Sequence, residues 1–230
     1  YVLYDTDGAF GYFSSNEWVQ WENYLQYAMT PIYPNMHSQL FEKVLQNDIF
    51  KCEFVNRYSD LINTVFRPDS FNITVNSLKN NIFSAMNDHI ERWSGESSIN
   101  GTLQSINQWE TDVDQIMDFN NERIDPAIYH LNETLSLNGS HEITLDVEPI
   151  NSGKIQLNTI NPETYPWSGI YFNECNVEMI AKPSDGFEFM YWTDIDETQY
   201  NYDTLQYSPS IQNTFTAHFL ACEDTYSAEI

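Results

Sequence analysis

The sequence predicts an α+β fold, a mostly helical segment followed by a small antiparallel all-β module. Apolar residues recur at helical spacing from Ser38 to Leu135 and then alternate with polar ones from His141 onward. Turns rich in Pro and Gly, such as Lys182-Pro183-Ser184-Asp185-Gly186, punctuate the last third. The change of period divides the chain into residues 1–138 and 139–230.

The opening stretch YVLYDTDGAFG runs strand-forming residues into Asp5 and Asp7, then into a turn with Gly8 and Gly11. Ser14 to His37 is aromatic-rich and poorly periodic; a short helix near Glu17–Tyr27 is expected, then a loop broken by Pro31 and Pro34. Leu40, Phe41, Val44 and Leu45 mark the next helix. Asn47-Asp48 offers a break and a new N-cap. Phe50, Phe54, Tyr58, Leu61, Ile62 and Val65 then form one apolar face, which ends at Arg67-Pro68. Asp69 or Ser70 is the expected cap of the following helix, with a stripe from Val75 through Ile82 and Met86 to Trp93. Ser94-Gly95 stops it. Another helix runs from Leu103 to about Phe119, and Asp125-Pro126 is expected to start a short last one. Leu137-Asn138-Gly139-Ser140 closes it. Strands are predicted at His141–Val147, Lys154–Asn158, Val177–Ala181, Phe187–Trp192 and Thr214–Phe219.

The 230 residues include 34 acidic and 9 basic ones, a net charge of −25. Phosphate backbones and anionic lipid surfaces are repelled by such a chain, so no nucleic-acid partner is expected. No apolar run approaches the roughly 20 residues of a membrane span, so no membrane insertion is expected. The acids are scattered, as on a solvated surface; a calcium- or salt-adapted structural protein is a further reading. Cys52 reads as a small apolar residue on a helix. Cys175 and Cys222 both fall in the strand-rich third, and a disulfide between them is open only if the compartment oxidises and their Cα atoms lie close. Sequons at Asn72, Asn100, Asn132 and Asn138 carry no weight in a chain this rich in Asn, Ser and Thr.

A carboxylate at a strand end before a glycine turn can hold a divalent metal over phosphates; it can equally be a polar turn. Three further stretches bear on the choice. "LFEKVLQNDIF" and "FVNRYSDLINTVFRP" follow the Asp5–Asp7 motif, and "HIERW" (His89 to Trp93) follows them. In that order they resemble the CotH (spore-coat protein H) family of atypical kinases. "WETDVDQIMDFNNERIDPAIYHL" continues the resemblance, and Gly153 to Asp194 is similar to a small β module that often follows that kinase region.

The resemblance implies that residues 1–138 are the C-terminal portion of a kinase-like lobe. It implies transfer of the ATP γ-phosphate to protein hydroxyls with Mg²⁺, Asp5 being the metal-binding aspartate and Asp7 the second acid. Gly8 and Gly11 would allow the turn and Phe10 would pack beneath it. In the family, the lobe covering the nucleotide and the catalytic loop precede this motif. The chain is therefore expected to be a fragment, inactive alone, whose partner is the N-terminal kinase lobe of the same protein. A secreted or cell-envelope location in bacteria is implied. The competing expectation is a non-catalytic surface or adhesion module, with Tyr165-Pro166-Trp167 and Tyr171 as a carbohydrate platform or else a packed turn. Arg57 braces an acidic loop or pairs with Glu53 or Asp60; His89 and His130 are ligands or hydrogen-bonded structural residues. Trp18, Trp21, Trp93 and Trp109 stack a ring ligand or fill the core.

Overall fold

A computed structural model describes residues 19–30, 36–94, 103–210 and 213–222. The helices come first: α1 (Tyr24–Met29), α2 (Met36–Val44), α3 (Asp48–Ile62), α4 (Pro68–Trp93) and α5 (Ile106–Leu135). Strands follow: β1 (Ser140–Glu148), β2 (Gly153–Leu157), β3 (Trp167–Phe172), β4 (Val177–Pro183), β5 (Phe187–Asp194), β6 (Gln199–Tyr200), β7 (Thr204–Tyr207) and β8 (Thr214–Ala221). The chain is thus α+β, as its two periods predict. The described residues fall into two compact units that alternate along the chain. One takes those up to Tyr27 and Thr64–His130; the other takes Ala28–Asn63 and those from Leu131 onward.

In the first unit, the helix expected over Glu17–Tyr27 is instead a 3-10 turn at Val19–Trp21 and then α1. Asn23 interrupts it, because its side-chain oxygen accepts from the Gln26 N–H (3.0 Å) and caps a new start. Arg123 on α5 donates to the Gln20 and Glu22 carbonyls, both at 2.7 Å, and fastens this segment. Neither Asp69 nor Ser70 caps α4. Arg67 occupies the cap position without a side-chain bond that caps the helix, and Pro68 stands at the first helical position, where its missing N–H costs nothing. The break expected at Asp125-Pro126 does not occur: α5 is one helix of 30 residues with Pro126 inside it. Proline removes one backbone bond there, but Ala127, Leu131 and Leu135 continue the buried face beyond it.

The second unit joins α2 and α3 to the strands. Asn47 caps α3 as predicted, accepting from the Phe50 N–H at 3.0 Å. After α5 the chain turns at Asn138 and Gly139, both at positive φ, and the Gly139 N–H donates to Asn132 Oδ1 (2.8 Å). The strands form a five-stranded sheet, order β3-β1-β8-β5-β6, and a three-stranded sheet, order β2-β4-β7. All pairings are antiparallel except β1 with β8, the first and last strands, which run parallel. Alternation sends Ile143, Leu145 and Val147 of β1 inward with Phe215 and Ala217 of β8. They meet Ile155, Met179 and the fully buried Trp192 in one core. Gly153 is required in β2, because a Cβ there would lie 2.8 Å from the Lys182 carbonyl oxygen and run into the Phe219 ring.

The cysteine expectation is overturned. Cys52 on α3 pairs with Cys175, which sits in the turn after β3, with Cα atoms 5.0 Å apart. Cys222 is free and exposed. Sequence proximity within the strand-rich third was the wrong guide; the packing of α3 on that turn decides the partner. The bridge closes a span of 123 residues. Cys52→Ser should therefore lower unfolding stability by about 2–4 kcal/mol, read as a drop in denaturant midpoint. Cys222→Ser should leave the midpoint unchanged.

Candidate functional site

Asp5 and Asp7, with Gly8, Phe10 and Gly11, lie outside the described residues. Among the described residues no group of His, Cys, Asp or Glu is placed to hold a metal ion. The part of the kinase-like pattern that can be examined is FVNRYSDLINT on α3. Of the apolar face expected over Phe50 to Val65, Ile62 is buried, but Phe50 is 37% exposed and Val65 57%. The other buried residues of α3 are Val55, Ser59 and Asp60. Phe54 stacks edge-on against Phe41 of α2, centroids 5.4 Å apart.

Helical spacing puts Cys52, Asn56, Asp60 and Asn63 along one face, and each reaches the strands. Asn56 Nδ2 donates to the Asn176 carbonyl at 2.7 Å. Asp60 is fully buried. Its carboxylate accepts from the Thr159 N–H (3.0 Å), the Thr159 hydroxyl (2.5 Å) and the Tyr171 hydroxyl (2.7 Å). Arg57 donates to the same Thr159 hydroxyl oxygen at 2.7 Å, which is its role in place of a helix-surface ion pair. Asn63 engages both backbone polar groups of one residue: Nδ2 donates to the Ile170 carbonyl (2.8 Å) and Oδ1 accepts from the Ile170 N–H (2.9 Å). Apart from Asn56 Oδ1, which is buried without a hydrogen-bond partner among the described residues, these donors and acceptors are spent on one another, so the arrangement is a clasp rather than a reactive centre. Polar residues at helical spacing, Asn56, Asp60 and Asn63, were its signal in the sequence.

The other candidates separate. Tyr171 is fully buried and cannot join a surface platform. Trp167 begins β3 and packs half-buried against the core, and the Tyr165 hydroxyl accepts from the Ile155 N–H at 2.6 Å. The stretch is packed structure. Trp109 is buried beside Phe83, whereas Trp21 and Trp93 are about half exposed; Trp18 lies outside the described residues. His89 is exposed on α4. His130 is half-buried, its Nδ1 has no hydrogen-bond partner, and burial with the nearby Arg123 charge holds its pKa below the ordinary value. Neither histidine is the hydrogen-bonded residue expected.

Burial, and after it the Asp60 carboxylate, push the Tyr171 phenol well above its usual pKa. A folded-state pKa above the unfolded one means that the folded chain holds the proton longer, so this stability is complete below about pH 10 and is lost as pH rises further. Tyr171→Phe should flatten that alkaline loss in pH-dependent denaturation and cost about 1–3 kcal/mol at neutral pH, through the donor taken from Asp60. Gly169→Ala would place a Cβ 2.9 Å from Asn63 Cγ and against the Trp167 ring. A loss of about 1–3 kcal/mol in the same measurement is expected.

A family model described as CotH kinase protein matches residues 1–125. No curated protein and no solved structure matches the chain.

Proposed function

The chain belongs to the CotH kinase protein family, and on that premise we propose that it supplies the metal-holding part of an atypical protein kinase. The observation that carries this reading is the match over residues 1–125, which includes the DTDGAFG motif at its start. Asp5 and Asp7 are assigned the metal, since paired carboxylates suit a hard cation such as Mg²⁺. Held by Asp5 and Asp7, the ion would supply charge neutralisation for the ATP phosphates. Gly8 and Gly11 are the residue type that a tight turn beside such a metal site would call for. The groups that cover the nucleotide and orient the acceptor hydroxyl are assigned to a preceding segment of the same protein, as the family order implies. The acceptor is a protein hydroxyl.

An extracellular or cell-envelope location in a bacterium is part of the proposal. The Cys52–Cys175 bridge supports it, because such bonds persist in oxidising compartments. No described helix is long and apolar enough to cross a membrane.

Asp5→Asn and Asp7→Asn, made separately in the longest native form of the protein, should each cut Mg²⁺-dependent transfer of labelled γ-phosphate to protein by roughly a hundredfold or more. Melting temperature should not move. Full transfer by both variants would remove the assignment.

A further inference from the structure

The outward face of the five-stranded sheet carries a groove of about 770 Å³ where β1, β5 and β8 meet the turns at Pro149 and Pro166. That volume lies within the range of ligand clefts. Its polar floor comes from alternation: Asp146 and Glu148 project from the same side of β1, and His218 from the facing side of β8. His218 is held at both nitrogens, with Nδ1 3.5 Å from Glu148 Oε2 and Nε2 2.8 Å from the Thr193 hydroxyl. The Tyr191 ring lies against it, centroids 4.7 Å apart. The rim is apolar and exposed: Ile150 79%, Leu220 51% and Met190 43%. Met190 is the residue left over at the register shift between Phe189 and Tyr191, which turns a flexible side chain out to the rim.

The charges decide what such a groove takes. No lysine or arginine lines it, and the chain carries a net −25. An anion is repelled on approach, and a cation is concentrated there. The remaining surface asks for apolar contact beside that cation. We propose that this groove docks a polypeptide segment of a partner protein bearing a lysine or arginine with apolar neighbours. The alkyl stem lies over Met190 and Leu220 and the cationic head reaches Glu148, an arrangement long basic side chains adopt readily. His218 is a positioning residue that keeps the Glu148 carboxylate over the groove. The inference is independent of phosphotransfer.

The test is a titration of the full isotopically labelled chain with a short peptide of alternating leucine and lysine, followed by backbone amide shifts. Saturable shifts centred on Glu148, Met190, Tyr191, His218 and Leu220 are expected. Glu148→Gln should weaken the affinity about threefold, the scale of an exposed charge pair. Met190→Ser should weaken it too, while Glu91→Gln, an equal charge loss on α4, should not. A leucine–glutamate peptide should not bind. The proposal is overturned if the shifts spread evenly over the acidic surface, if Glu148→Gln and Met190→Ser bind as the parent does, or if a neutral oligosaccharide occupies these residues and the basic peptide does not.

Discussion

A carboxylate taken out of water costs several kcal/mol unless its lone pairs are used, and Asp60 is fully out of water. The arrangement of α3 against the strands follows from that constraint. Its shorter hydrogen bonds come from three donors, the backbone N–H and hydroxyl of Thr159 and the phenol of Tyr171, the last 111 residues away in the chain, and Asn158 Nδ2 donates at 3.5 Å. Nothing local can replace them. Thr159 sits just after β2 and Tyr171 on β3, which lie in different sheets. Both sheets must therefore be in place before Asp60 can be buried, and α3 must present one particular face to them. A helix turned by one residue would rotate about 100° and take the carboxylate away from all three donors. The interaction is thus as much a register device as a source of stability, which is the best-attested use of buried polar groups.

The rest of the clasp answers a different problem at the same interface. β3 is an edge strand of its sheet, and an edge leaves backbone groups open to pairing with another chain. Asn63 fills the gap at Ile170 with its carboxamide, which offers a donor and an acceptor at peptide-like spacing. The neighbouring Gly169 has no side chain, so Asn63 and the Trp167 ring can come close. Toward the start of α3 the same face ends in the Cys52–Cys175 bond. A covalent tie, a two-sided amide and a buried carboxylate lie in helical succession along one stripe. Their contributions should not add as independent terms, since each helps fix the geometry the others need.

Features governed by local rules were legible in the sequence. The Asn47 cap, the Asn138-Gly139 turn and the alternation in β1, β4 and β8 all depend on neighbours a few residues away. What depended on distant partners was not legible. The apolar run Phe50 to Val65 looked like the buried face of α3, but that face is partly polar because the strands supply the matching groups. Cys52 looked like an ordinary apolar residue because its partner lies across the unit. Pro126 looked like a helix start, which it would be if α5 had no reason to continue. β3, β6 and β7 escaped notice because strands that are short or carry Ser, Gly, Gln, Thr and Tyr among their apolar residues lack a clean apolar alternation. The Asp5–Asp7 motif was legible as a pattern, and its geometry lies outside the described residues.

This division bears on what family membership means for the chain. The matched region, residues 1–125, contains two kinds of information. FVNRYSDLINT lies within it, yet Asn56, Arg57, Asp60 and Asn63 are committed to holding the β module, which lies beyond the matched region. A chain could keep that stretch and the fold while losing any chemistry. The carboxylates at Asp5 and Asp7 have the opposite character, since two acids one residue apart in the sequence gain nothing for a fold by their mutual repulsion unless a cation or donor offsets it. Membership can therefore be read from α3, but phosphotransfer has to be argued from the opening motif alone.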